Sequence, residues 1–79
     1  MVLLTTADEL TLAIKRSVSH NEPVTVPIDS VHNFLPDVLE HIEAETGGWY
    51  DWETNGKNKY HVWGDDKGGN EFTLHLYFF

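Results

Sequence analysis

The chain has no cysteine, only three prolines, one methionine and five lysine or arginine residues against thirteen aspartates and glutamates. The missing cysteine removes disulfides, thiolate metal sites and thiol nucleophiles together, so a disulfide-stapled secreted mini-protein is excluded. The shortage of cations leaves a formal net charge of −8. Such a field repels phosphate backbones and anionic lipid, which argues against direct binding to nucleic acid or a membrane surface. No apolar run approaches the roughly 20 residues of a membrane-crossing helix. The opening MVLLTTADEL carries neither a basic region nor a small-residue cleavage pattern, so the expected protein is unprocessed and cytosolic, that is, cytoplasmic. HExxH, Walker-type and EF-hand spacings are absent as well; GDDKGGN (64–70) therefore reads as a hairpin loop, and no cofactor is expected.

What is present in quantity is apolar and aromatic side chain, 41% and 13% of the 79 residues, enough for a folded chain despite its charge. A chain this short buries only about 60% of its unfolded surface, so residues 1–79 are expected to form a single domain around one core.

TADE (6–9) is a capping-box pattern and predicts a helix starting at Thr6, with Ala7, Leu10, Ile14 and Val18 on one face and SHNEP (19–23) ending it. VTVPI (24–28) has strand character, but Pro27 lacks an amide to donate, which confines this segment to a sheet edge. Asp29 and Ser30 are good helix caps, and Val31, Phe34, Leu35, Val38 and Ile42 follow helical spacing. Pro36 interrupts that pattern. Either a kink falls near Asn33 or a turn precedes a main helix from Pro36 to Thr46, stopped by Gly47 and Gly48.

Three strands follow, Trp49–Thr54, Lys59–Gly64 and Glu71–Phe78, giving an antiparallel meander. The predicted fold class is α+β: two helices on one face of a small, mainly antiparallel sheet, with 24–28 as a possible extra edge strand.

Pairing parity decides what the rings of GGWYDWETNGKNKYHVWG (47–64) do. If Tyr50 and Trp52 lie opposite Val62 and Tyr60, and these opposite Leu74 and Leu76, one face collects Tyr50, Trp52, Tyr60, Val62, Phe72, Leu74, Leu76 and Phe78. That face suits the helices. The other carries Trp49, Asp51, Glu53, Lys59, His61, Trp63, Thr73, His75 and Tyr77, with Glu53 facing Lys59. The Asn55–Gly56 pair favours a two-residue turn of the opposite parity, but that turn divides the apolar set between faces, so a three-residue loop containing Gly56 is the better reading.

Asp51, His61 and His75 would then neighbour one another on three strands, a donor set for a divalent metal or for a histidine oriented by an acid. Exposed strand histidines are commonly only solvated. Trp49, Trp63 and Tyr77 are residue types favoured at interface hot spots. Asp37, Glu40, Glu43 and Glu45, near His32 and His41, make an acidic helix with no lysine or arginine between Asn33 and Thr46. Solvation alone accounts for such a helix; carboxylates spaced to meet lysines and arginines of another protein account for it too.

Three functional classes follow. The first is a non-enzymatic module binding a basic protein surface through Trp49, Trp63, Tyr77 and the acidic helix, in the manner of a nucleic-acid mimic or inhibitor, a style frequent among phage and mobile-element accessory proteins. The second is a metal-dependent or acid-base enzyme centred on Asp51, His61 and His75. The third is a structural subunit that self-associates, as a homodimer or larger structure, through Trp49, Trp63 and Tyr77.

Overall fold

The computed structural model describes residues 2–54 and 56–79, with side chains from Ala7 onward. Its elements run α1 (Val2–His20), β1 (Val24–Ile28), α2 (Leu35–Thr46), β2 (Trp49–Thr54), β3 (Lys59–Asp65) and β4 (Glu71–Phe78). The four strands form one mixed sheet in the order β1-β4-β3-β2, and both helices pack against it, an α+β fold.

The helix start differs from expectation. α1 begins at Val2, so the TADE box lies inside the helix, and the hydroxyl of Thr6 falls outside the described side chains. No glycine or proline occurs between Val2 and His20, so nothing forces the chain out of helical angles before Thr6. The buried stripe is Leu10, Ala13, Ile14 and Ser17, with Val18 half-buried beside it.

Residues 29–33 form a turn in place of a longer second helix. The Asp29 carboxylate accepts from the Val31 amide at 2.9 Å and lies 2.8 Å from His32 Nδ1, while the Asn33 amide donates to the Asp29 carbonyl at 3.1 Å. Aspartate competing for local backbone donors explains why the helix restarts only at Leu35, with Pro36 in its first turn. Val31 and Phe34, expected on the buried helix face, are instead exposed. Gly47 ends α2 with φ 68°, its amide donating to the Glu43 carbonyl.

VTVPI does join the sheet. β1 runs parallel to β4, Val24 opposite Leu74 and Ile28 opposite Phe78, at the edge that Pro27 requires. Val26 and Ile28 face the helices with Val62, Phe72, Leu74, Leu76 and Phe78 from the other strands, and with Leu10, Ile14, Val38 and Ile42 they make one core. On the same side Tyr60 sits between Trp52, ring centroids 5.8 Å apart, and Phe78, at 5.4 Å in an edge-on contact.

Parity matches the sequence reading: even-numbered side chains of β2–β4 face the helices. The register does not match it. β2 slides two residues along β3, so Trp52 lies opposite Val62, Tyr50 opposite Gly64 and Glu53 opposite His61, where Glu53–Lys59 was expected. The β2–β3 connection is correspondingly longer than three residues, and Asn55, on which the two-residue alternative rested, lies outside the described residues. A two-residue slide preserves both faces. Gly64 explains the choice: a Cβ there would stand 2.1 Å from the Trp49 carbonyl oxygen and 2.7 Å from the Tyr50 Cα, so only glycine lets β2 approach this closely.

Candidate functional site

With both helices on the even-numbered side, no element among the described residues covers the odd-numbered side of the sheet. Register orders it into rows: Trp49–Asp65–Glu71, then Asp51–Trp63–Thr73, then Glu53–His61–His75–Thr25, then Lys59–Tyr77–Pro27. Trp49 is 54% exposed and Tyr77 42%, and Trp63 is half-buried among its neighbours. All three predicted aromatic contact residues therefore share this face.

The rings are ordered by one another. The His61 and His75 imidazoles stack with centroids 4.9 Å apart and planes 7° apart, and His61 packs against Trp63 at 5.0 Å. The Trp49 indole N–H donates to Asp65 Oδ2 at 3.0 Å, holding that ring over the start of the meander. Tyr77 stacks loosely on Phe79, which sequence reasoning had not singled out; Phe79 is 60% exposed, its carbonyl oxygen held by the Ser30 amide and hydroxyl.

The histidine pair stands between two open grooves. One, of about 510 Å³, is lined by Trp49, Trp63, Glu53, Asp65 and Glu71. The other, of about 630 Å³, is lined by Thr25, Lys59, His61, His75 and Tyr77. Charge differs between them. The first holds three carboxylates among its lining residues and no lysine or arginine, with Asp51 in the same row as Trp63; the second holds Lys59.

The proposed Asp51, His61, His75 constellation is not assembled. The register slide sets Asp51 opposite Trp63 and brings Glu53 beside His61, with Nδ1 to Oε1 at 3.6 Å, beyond a good hydrogen bond. Among the described residues no group of three or more histidine, aspartate or glutamate side chains is placed to hold a metal ion.

The acidic helix is real but lies elsewhere. Asp37, Glu40, Glu43 and Glu45 are all exposed on α2, in the layer that covers the opposite side of the sheet from Trp49, Trp63 and Tyr77. One flat partner surface cannot touch both, so joint use of helix and aromatic face needs a partner that reaches around the sheet. His41 on α2 is tied to the fold, with Nε2 3.0 Å from Thr11 Oγ1 and 4.0 Å from Glu45.

Asp66 organises the β3–β4 loop. Its carboxylate accepts from the backbone amide of Asn70 at 2.9 Å, from the Asn70 side chain, and from the Gly68 amide; these bonds hold its pKa below the ordinary carboxylate value. Among the described residues no helix is long and apolar enough to cross a membrane. No family model, no curated protein and no solved structure matches this chain.

Proposed function

We propose that the protein is a non-enzymatic binding module whose uncovered sheet face receives a basic surface of another protein. The observation that carries this reading is the groove in which Trp49 and Trp63 stand with Glu53, Asp65 and Glu71. Aromatic faces attract cations through their quadrupole, and carboxylates beside them add charge-assisted hydrogen bonds, so the pairing suits an arginine or lysine side chain. Tyr77 and Phe79 supply apolar contact at the far end of the same face. A partner that ordinarily holds nucleic acid has the required positive charge, which supports an inhibitory, nucleic-acid-mimicking role; the carboxylates doing so are those of the sheet, with the α2 carboxylates serving solvation.

The experiment is affinity capture from the native host with four versions of the chain: wild type, Trp63→Ala/Tyr77→Ala, Glu53→Lys/Glu71→Lys, and Asp37→Asn/Glu40→Gln, each checked for folding by circular dichroism. The reading expects one protein captured by wild type and by the helix variant and lost from both sheet-face variants. Retention by the sheet-face variants contradicts it. Sedimentation at micromolar concentration separates the self-association reading, for which the wild type runs as a dimer or larger and the double aromatic variant as a monomer.

A further inference from the structure

The sheet has two edges, and they are unequal. β1 carries Pro27, which offers no amide to an incoming strand, and α1 packs beside it. β2, WYDWET, has no proline.

Hydrogen-bond parity identifies which β2 backbone groups have no partner strand among the described residues. The Thr73 amide and carbonyl turn to the Ser17 hydroxyl on the β1 side of β4, and the Phe78 amide turns to the Asn58 carbonyl on the β3 side. Even residues of β4 therefore bond toward β3. Carried across the two antiparallel registers, this alternation leaves the N–H and C=O groups of Tyr50, Trp52 and Thr54 directed away from the sheet. An independent contact agrees: the Trp52 amide donates to Oδ1 of its neighbour Asp51 at 2.8 Å, as an amide without a ladder partner does.

Side chains along this edge alternate in kind. Toward the helices stand Tyr50 and Trp52, and Trp52 remains 39% exposed because the core stops short of it. Toward the open face stand Asp51 and Glu53, both exposed.

We propose that the β2 edge is a strand-addition site for an extended segment of a partner protein in which apolar residues alternate with arginine or lysine. Main-chain bonds to Tyr50, Trp52 and Thr54 give the affinity, and the alternation gives the selectivity: apolar side chains cover Trp52 while cationic ones meet Asp51 and Glu53. The Asp51 carboxylate, released from the Trp52 amide as the new strand's carbonyl takes its place, becomes available to that cation. A second copy fits poorly. Antiparallel self-pairing about Asp51 sets that residue against itself, and pairing about Trp52 sets Asp51 against Glu53, like charges opposed in either register. The site is a main-chain edge and does not rest on the groove between Trp49 and Trp63.

The test is titration of 15N-labelled full-length protein with a capped hexapeptide alternating valine and arginine, read by amide shifts. Saturable shifts of Tyr50, Trp52 and Thr54 are expected, absent with a fully backbone N-methylated peptide and absent with glutamate replacing arginine. Asp51→Lys, an exposed change that leaves the ladder intact, should weaken binding about tenfold, roughly the loss of one favourable exposed pair and its replacement by a repulsion. With Trp63→Ala the saturable shifts of Tyr50, Trp52 and Thr54 should persist, whereas peptide capture by the sheet-face groove would lose its shifts at His61 and His75, which separates this edge from the sheet-face reading. Equal binding of the N-methylated peptide, shifts confined to His61, Trp63 and His75, or a wild-type dimer whose Tyr50 and Trp52 amides are protected from exchange overturns the proposal.

Discussion

Replacing Ser17 by alanine tests how the sheet is closed where β1 stops. Ser17 is 1% exposed and projects from α1 toward β4, one residue before the Val24–Leu74 pair at which β1 begins. Its hydroxyl donates to the Thr73 carbonyl at 3.2 Å and accepts from the Thr73 amide at 2.9 Å, so one side chain does for Thr73 what a neighbouring strand would do. Alanine fits the space but leaves both backbone groups without a partner. A buried group so orphaned costs about 1–3 kcal/mol; because Thr73 is only half-buried and water can reach it in part, about 2 kcal/mol for the pair is the expected loss. For a chain of this length a total stability of about 4–12 kcal/mol is ordinary, and a 2 kcal/mol loss lowers the melting temperature by about 8–16 °C. Urea denaturation followed by tryptophan fluorescence measures the loss, and amide exchange at Thr73 localises it. Ser19→Ala, exposed on the same helix, should stay within about 0.5 kcal/mol of wild type. If Ser17→Ala does likewise and Thr73 exchange is unchanged, the strand-substituting role is wrong.

Gly64→Ala should push β2 off β3, because the new methyl meets the Trp49 carbonyl and the Tyr50 backbone and neither can move alone; a loss of about 1–3 kcal/mol in thermal or urea unfolding, with faster exchange along β2, is expected. The Asp29 carboxyl is held below its ordinary pKa chiefly by the His32 side chain and then by the Val31 amide, and Asp66 chiefly by the Asn70 amide and side chain. Depressed folded-state values mean that these groups contribute stability above the ordinary aspartate value of 3.8 and lose it as pH falls through their lower folded values. Asp66→Asn keeps an acceptor oxygen but cannot titrate, so its urea midpoint should fall less than that of wild type between pH 4 and pH 2 on the carboxylate scale; parallel curves would contradict the assignment. His41→Ala removes the contact with Thr11 that links α2 to α1 and should cost about 1 kcal/mol by the same urea assay.

The two faces of the sheet were readable from sequence because β4 alternates strictly, Phe72, Leu74, Leu76 and Phe78 against Thr73, His75 and Tyr77, and a one-residue error would bury the polar set. The register within a face was not readable. Sliding β2 by two residues keeps every side chain on its side, so hydrophobic pattern cannot distinguish the two pairings; the distinction lies in Gly64, whose missing Cβ matters only once the Trp49 backbone is beside it. That slide replaced Asp51 by Glu53 as the neighbour of His61 and dissolved the predicted donor set. The capping box at Thr6 is a local signal, and local signals yield when the flanking residues also tolerate a helix. Ser17 is marked in the sequence by its spacing, seven residues after Leu10 and three after Ile14, which sets a polar residue on the buried stripe. β1 pairing with β4 joins segments about fifty residues apart, a choice no local pattern encodes.

An aromatic sheet face without a covering layer forgoes burial that a third layer would supply. Trp49, Tyr77 and Phe79 each leave a large apolar surface in water, while the core of Leu10, Ile28, Leu74 and Leu76 is fully enclosed. A large exposed apolar face is the usual mark of an interaction surface, which is the ground of the proposed reading, and the carboxylates of Asp51, Glu53, Asp65 and Glu71 on the same side give that face a negative charge.

The central claim is that the odd-numbered side of the meander faces away from the rest of the chain. A nuclear Overhauser spectrum with methyl and imidazole assignments tests it directly. The account predicts cross-peaks linking the Leu74 and Leu76 methyls to methyls of α1, and His61 to His75, with none from either imidazole to a helix methyl. Cross-peaks from the His61 and His75 rings to Leu10 or Ile14, with Leu74 broadened by a soluble paramagnetic probe, would contradict it.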